Sequence, residues 1–176
     1  MTELAILDWM QTTIRCGFLD TLLPALTRLG DAGLVWIALT AVLLCTKKYR
    51  RAGLAMGCAL VLDLLCCNLL LKPLVARIRP CDLNRSIQLL VPRPLDYSFP
   101  SGHTAASFAA TGALFASGTR LWVPAATLSL LIAFSRLYLY VHFPTDVLAG
   151  MVLGTVLGFV GRRLSQALLR RCAARK

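Results

Sequence analysis

The chain has 176 residues, of which 57% are hydrophobic and only 15% charged, and its formal net charge is +11. Soluble domains carry about 25% charged residues, so this composition excludes an ordinary soluble domain and indicates a protein of the lipid bilayer. The Lys and Arg residues punctuate apolar runs and form no basic stripe with interleaved aromatics, which argues against nucleic acid as a partner. The seven cysteines show no C-x-x-C spacing, so we predict neither a metal site nor disulfides.

Residues 1–30 differ from the rest of the chain because charges interrupt their apolar pattern. These charges include Asp8, Arg15, Asp20 and Arg28, and leucines recur between them at helical spacing. The pattern predicts amphipathic helices that lie in the membrane interface. A sixth, weakly hydrophobic span is the alternative.

Apolar segments of roughly the length that a membrane-spanning helix needs follow in residues 31–176. They are residues 33–46, 52–71, 101–117, 121–140 and 144–160, the last of which can continue into the basic tail. The expected fold is therefore an all-α, polytopic transmembrane helix bundle with about five spans. Residues 31–176 would form its core.

One end of these spans collects most of the cations. They are Lys47, Lys48, Arg50, Arg51, Arg120, Arg162, Arg163, Arg170, Arg171, Arg175 and Lys176. Because cytoplasmic loops are enriched in Lys and Arg, we expect this end to be cytoplasmic in the plasma membrane. The polar motifs then share the opposite, extracytoplasmic end.

The first motif, Lys72-x6-Arg79-Pro80, closes the second predicted span. Cations at span ends often reach back to the interface, and this is the simpler interpretation. The alternative is an anion site, because Lys72 supplies a point charge and Arg79 a fork of donors for phosphoryl oxygens.

The second motif, Pro100-Ser101-Gly102-His103, stands where a loop becomes a helix. Pro and Ser suit the start of a helix, and a helix start with free amides and a glycine is an anion site. An ordinary cap explains Ser101, but it does not explain a histidine in the apolar helix.

The third motif, Ser135-Arg136-x5-His142-x3-Asp146, surrounds the turn between the fourth and fifth spans. Pro144 begins the next helix, so Asp146 lies in its first turn. A carboxylate there can hold one imidazole nitrogen of His142 and leave the other free to attack phosphorus. A structural ion pair is the alternative for Arg136 and Asp146.

Together, the three motifs resemble the complete signature of the type 2 phosphatidic acid phosphatase superfamily, in order and without a departing position. The resemblance implies that His142 attacks phosphorus to form a phosphohistidine, Asp146 orients its ring and His103 protonates the leaving oxygen. It also implies a phosphate-binding set of Lys72, Arg79, Ser101, Gly102 and Arg136. No cofactor and no metal are expected.

The leading function is removal of phosphate from a membrane lipid, with undecaprenyl diphosphate as the first candidate substrate. Phosphatidylglycerophosphate or phosphatidate is the alternative within the same class. A protein that binds or transports phospholipid without turnover, or a structural membrane protein, belongs to a different class. Both histidines and Asp146 favour the enzyme, since binding alone would need only the cations.

Three weaker features remain. Asp63 lies within the second span, where we expect a protonated or hydrogen-bonded packing role, with tuning of the site or a relay to it as the alternative. A small-residue run in the fifth span predicts close helix packing, within the chain or in a homodimer. Arg85 and Arg93 flank an apolar stretch of the loop before the second motif. This loop could act as a lid on the lipid surface and its two arginines could meet a second phosphate, and a solvated or interfacial loop is the alternative.

Overall fold

The computed structural model describes residues 2–174, and every regular element in that range is helical. The helices are α1 (Glu3–Trp9), α2 (Gly17–Leu29), α3 (Leu34–Cys45), α4 (Arg50–Asp63), α5 (Lys72–Val75), α6 (Pro80–Leu83), α7 (Gly102–Ala116), α8 (Trp122–Tyr138) and α9 (Pro144–Ala173). The predicted all-α class is confirmed. Arg175 and Lys176, two of the cations predicted for the cytoplasmic tail, lie outside the described residues.

Within residues 2–174, two helical segments are long and apolar enough to cross a membrane on their own, Arg50–Leu83 and Pro144–Ala173. The pair Gly17–Leu29 and Asp31–Cys45 adds a third candidate, bent by 45°. The 17-residue helix α8 is apolar but short against the roughly 20 residues of a typical span. The number of five spans therefore stays a prediction.

α9 packs closely along α7 through the small residues of the predicted run. A Cβ at Gly150 would lie 2.8 Å from the carbonyl oxygen of Ser101, and one at Gly158 would lie 2.7 Å from a backbone nitrogen of α7. At Gly154 the backbone of Ala105 leaves no room for a side chain. The predicted close packing is confirmed within the chain. Because α7 occupies this run, the predicted homodimer would need another surface.

The second predicted span is not one uniform helix. α4 continues into a π-helix (Leu64–Leu71), which leads directly into α5 and Lys72. The left-handed conformation of Ala76, with φ of 49°, then ends the helix. π-helical turns often occur at functional sites, and here the turn immediately precedes the first motif.

The N-terminal helices pack against the turn between α8 and α9. Leu7 of α1 is fully buried in a cluster with residues of that turn. The hydroxyl of Tyr138 donates to Asp20 at 2.7 Å, and that of Tyr140 donates to Asp8 at 2.6 Å. Two of the charges that interrupt residues 1–30 are therefore hydrogen-bond partners of the core.

Candidate active site

The three motifs meet at one end of the helix bundle, around a cavity of about 460 Å³. The motif residues that line this cavity are Lys72, Arg79, His103, Arg136 and His142. Ser101 and Asp146 are fully buried, and Gly102 lines a neighbouring cavity. The fold thus brings together residues that lie up to 74 positions apart, from Lys72 to Asp146.

His142 lies in the turn between α8 and α9 and is almost fully buried. Its Nε2 is 3.1 Å from Nη1 of Arg79. Because a guanidinium can only donate hydrogen bonds, the lone pair on Nε2 accepts this one and the ring proton belongs on Nδ1. Burial and the charge of Arg79 hold the pKa of His142 well below 6.5, so the ring is neutral at neutral pH.

Asp146 lies in the first turn of α9, beside the protonated nitrogen of His142. Its Oδ2 is 3.6 Å from Nδ1 of His142, which is too long for a hydrogen bond. The same oxygen accepts from the Ser98 hydroxyl at 2.5 Å and from the Phe143 amide at 2.9 Å. Arg77 donates to the other carboxylate oxygen at 2.6 Å. These donors fix the carboxylate next to the ring.

Arg77 connects the Asp146 carboxylate to the N-terminal helix. Its Nη2 donates to Glu3 at 2.5 Å, and its guanidinium lies 4.0 Å from the centre of the Phe143 ring. Burial alone would raise the pKa of Glu3, but hydrogen bonds from Thr145 and Arg77 lower it. Arg77 was not among the predicted site residues, although the sequence Arg-x-Arg-Pro was a signal that two arginines share one end of the bundle.

Asp96 occupies the space between two of the cations predicted to bind phosphate. One carboxylate oxygen pairs with Nζ of Lys72, and the other accepts from Nη2 of Arg79 at 2.7 Å. Burial would raise the pKa of Asp96, but Lys72 and Arg79 lower it to about 2. An anionic group therefore already lies at these cations. The motif spacing did not point to Asp96, because it belongs to the loop before the second motif.

His103 and Arg136 both receive contacts from the junction of α2 and α3. Nε2 of His103 is 2.8 Å from Oδ1 of Asp31, and His103 lines both cavities at this end. Arg136 donates to the hydroxyl of Thr27 at 2.6 Å. Its buried Nε has no hydrogen-bond partner among residues 2–174. That nitrogen is a donor available to a bound anion.

The start of α7 brings a backbone amide close to Lys72. The hydroxyl of Ser101 hydrogen-bonds with that of Thr104 at 3.0 Å rather than with the helix backbone. A Cβ at Gly102 would lie 3.0 Å from Oδ1 of Asn68 and 3.6 Å from Nζ of Lys72. Glycine therefore permits the close approach of the π-helix end to this helix start.

A second cavity, of about 590 Å³, begins beside Lys72, Gly102 and His103 and extends between α3 and α4. Its side-chain lining is mainly apolar and includes Ile37, Leu60, Val61 and Leu64. Asp63 also lines it, is 3% exposed and has an Oδ1 without a partner in the described part of the chain. This oxygen therefore lacks the hydrogen bond that was one of the two expectations for Asp63, and the protonated packing role stays a prediction.

The loop between α6 and α7 contains the two arginines predicted to meet a second phosphate. Arg93 lines the 460 Å³ cavity, but it donates to the Cys81 carbonyl at 2.5 Å and to Asp82 at 2.6 Å. Arg85 is exposed and lines neither cavity. The apolar part of the loop packs with the N-terminal helices, so the loop rests on protein at this point.

The sequence is similar to those of known phosphatases. The sequence model of the PAP2 superfamily matches residues 52–170. An undecaprenyl-diphosphatase of Sulfolobus acidocaldarius is 36% identical over 129 residues, 72% of this chain and 61% of that protein. A decaprenylphosphoryl-5-phosphoribose phosphatase of Mycolicibacterium smegmatis is 36% identical over 127 residues, 72% of this chain and 68% of that protein.

The fold also matches a solved membrane-protein structure. A transmembrane PAP2-type phosphatidylglycerolphosphate phosphatase from Bacillus subtilis superposes with a TM-score of 0.75 and 27% identity, over 94% of this chain and 85% of that chain. The chain spans about three fifths of the Sulfolobus relative's length. The apolar helices and this likeness make the chain a membrane protein. The chain belongs to the PAP2 superfamily.

Proposed function

We propose that this chain is an integral membrane lipid phosphatase in which His142 is the nucleophile. The observation that carries the proposal is the unprotonated Nε2 of His142, in a cavity that is also lined by Lys72, Arg79 and Arg136. A neutral imidazole among fixed cations suits attack on a phosphate, because the cations offset the anionic charge and Arg79 can exchange its hydrogen bond to Nε2 for one to a phosphate oxygen, which releases the lone pair.

The reaction needs two displacements at phosphorus. Nε2 of His142 attacks the terminal phosphorus, the bond to the leaving oxygen breaks, and His103 gives that oxygen a proton. Asp146 offsets the positive charge that the ring gains. Water then attacks phosphorus and gives a proton to His103 while the bond between phosphorus and Nε2 breaks, which releases phosphate and restores His142.

The cations would hold the phosphate oxygens through both steps. Lys72, Arg79 and Arg136 supply charge, and Ser101 and the Gly102 amide complete the predicted binding set. Donors aimed at the developing charge commonly provide the largest single contribution to catalysis. This set needs no cofactor and no metal ion, which stays a prediction.

A polyprenyl diphosphate, most simply undecaprenyl diphosphate, is the proposed substrate. Two relatives are named for polyprenyl substrates, and the apolar cavity of about 590 Å³ beside Lys72 would take the first part of such a tail. Phosphatidylglycerophosphate or phosphatidate is the alternative, and the likeness to the Bacillus subtilis phosphatase favours it.

The active site would face the extracytoplasmic side of the plasma membrane. The end of the bundle opposite the cavity carries Lys47, Lys48, Arg50 and Arg51, and cation-rich ends favour the cytoplasm. The division between residues 1–30 and a catalytic core of 31–176 also stays a proposal. Contacts from Glu3 to Arg77 and from Thr27 to Arg136 indicate that the N-terminal region supports the site.

A panel of lipid phosphates tests the proposal with purified protein in detergent. We expect the highest kcat/KM on the polyprenyl diphosphate, and turnover that survives a chelator. His142→Ala should lower kcat by at least about 10³-fold, because it removes the nucleophile. Arg85→Gln, an exposed cation at the same end, should leave kcat unchanged. Binding of these lipids without any phosphate release would instead identify a non-catalytic lipid-binding protein.

A further inference from the structure

A third cavity, of about 500 Å³ and polar in character, lies at the end of the bundle opposite the candidate active site. It forms where α3 meets α4, where α7 meets α8, and where α9 passes both turns. Its charged lining consists of Lys48, Arg51, Arg120 and Arg162. None of these residues belongs to the three motifs.

The cations of this cavity have no carboxylate to neutralise them. The eight acidic residues of the chain are Glu3, Asp8, Asp20, Asp31, Asp63, Asp82, Asp96 and Asp146. All eight lie within residues 2–174, and none of them lines the cavity. In that range the ion pairs involve other cations. The concentrated positive charge thus calls for an anion from outside the chain.

Arg162 gives this cavity a buried donor group. Its Nε and Nη1 are shielded from solvent and have no hydrogen-bond partner among the described residues. Buried guanidinium nitrogens are nearly always hydrogen-bonded, because leaving a charged donor unpaired is costly. Because Arg162 also lines the cavity, these unpaired donors lie next to the space that an anion would fill.

The polar rim of the cavity has room for further hydrogen bonds to such an anion. The hydroxyl oxygen of Thr119 accepts from the Leu121 amide, which leaves its own O–H free to donate. Gly118, also in the lining, has φ of 71° and nothing within 4 Å of the position of a Cβ. The turn between α7 and α8 therefore leaves open space beside the cations.

We propose that this cavity is a binding site for a phosphate group, separate from the candidate active site. Phosphate fits because it carries more than one acceptor oxygen and a charge that several Arg and Lys donors can share. The group could belong to the headgroup of an anionic phospholipid or to free phosphate, since both present the same oxygens. The proposal does not rest on the catalytic function, because this cavity shares no lining residue with the 460 Å³ cavity of the candidate active site.

The test compares neighbouring arginines on α9. Arg162→Gln removes the buried donors, and Arg163→Gln removes the same charge from an exposed position outside the cavity lining. In one arm, inorganic phosphate is titrated against the melting temperature of each purified protein. In the other, phosphatidylglycerol is titrated into phosphatidylcholine nanodiscs and the lipids retained by the protein are counted by mass spectrometry.

We expect Arg162→Gln to weaken binding about tenfold in at least one arm, which corresponds to the loss of about 1.4 kcal/mol. Arg163→Gln should stay near wild type. A loss confined to the nanodisc arm identifies a lipid headgroup, and a loss with inorganic phosphate identifies the free ion. Equal losses in the two variants would indicate diffuse surface attraction and overturn the proposal, as would no loss in either.

A second variant covers the case in which Arg162→Gln does not fold. Arg51 is exposed at the rim of the same cavity, so Arg51→Gln should fold normally and still weaken binding. Circular dichroism and gel filtration check folding without reference to catalysis. Wild-type affinity in a folded Arg51→Gln protein would also contradict the proposal.

Discussion

Oδ1 of Asp31 lies 2.8 Å from Nε2 of His103, so the junction of α2 and α3 holds the ring at the start of α7. With Nε2 engaged by Asp31, Nδ1 is the nitrogen left to give a proton to the leaving oxygen. We therefore expect Asp31 to position His103 for the proposed acid step.

Removal of the Asp31 carboxylate should impair protonation of the leaving group. Asp31→Asn should lower kcat on a lipid phosphate by about tenfold, a part of the roughly 10²–10⁴-fold that general acid catalysis supplies. KM should change little. An aryl phosphate has a better leaving group and needs less protonation, so its kcat should be nearly unchanged.

The controls for this variant are chosen from the same region. Asp31→Glu keeps the carboxylate and should recover most of the lipid turnover. Asp20→Asn removes an acid of α2 that bonds to Tyr138 and Arg15 instead of the site, and should leave both activities intact. Equal losses on lipid and aryl substrates in Asp31→Asn would show a merely structural role.

Much of the fold follows from local sequence patterns. The segments predicted at residues 33–46 and 101–117 agree with α3 (Leu34–Cys45) and α7 (Gly102–Ala116), because apolar runs and turn residues mark their ends. The fifth helix could continue into the tail, and α9 reaches Ala173. The site residues within the three motifs could be predicted together, because the spacing between residues is fixed inside each motif.

The contacts that complete the site have no such local pattern. Asp31 and His103 are separated by 72 residues, and Glu3 and Arg77 by 74. A single acid in an amphipathic segment looks the same whether it faces water or a distant arginine. Only the packing of α1 and α2 against the core decides which of these charges reach the site.

We expect Asp96 to compete with substrate for the two cations proposed to bind phosphate. Asp96→Asn keeps the shape of the side chain but removes the charge that pairs with Lys72 and Arg79. Its carboxylate is half exposed, and such ion pairs contribute up to about 1 kcal/mol, so inorganic phosphate should inhibit the variant about fivefold more strongly. KM for the lipid should fall in parallel. Inhibition constants from steady-state kinetics measure the effect.

The pH dependence of this competition follows from the direction in which the pKa of Asp96 is shifted. The pKa of Asp96 is lowered from 3.8 to about 2, so its contribution to stability is present above 3.8 and is lost as the pH falls through about 2. The ratio of inhibition constants between wild type and Asp96→Asn should therefore stay constant from about pH 5 to about pH 8. Asp82→Asn, which affects an acid paired with Arg93, is the control. An unchanged inhibition constant in Asp96→Asn would refute the competition.

Arg77 supports the site through Asp146, whose side chain is fully buried. Arg77→Gln leaves that carboxylate with the Ser98 and Phe143 donors but without a cation, which should destabilise the protein by about 1–3 kcal/mol. The turnover number should fall as well, because Asp146 is less firmly held beside His142. Thermal unfolding and steady-state kinetics measure the two effects.

Glu3 separates the support of Asp146 from the attachment of α1. Glu3→Gln removes a partner of Arg77 but leaves the contact between Arg77 and Asp146, so it should lower the melting temperature with little effect on kcat. Arg15→Gln removes an N-terminal cation that bonds to Asp20 and Gln11, and serves as the matched control for kcat. If Glu3→Gln lowered kcat as much as Arg77→Gln, the docking of α1 itself would be what holds Asp146 in place, and Arg77 would act only as its link.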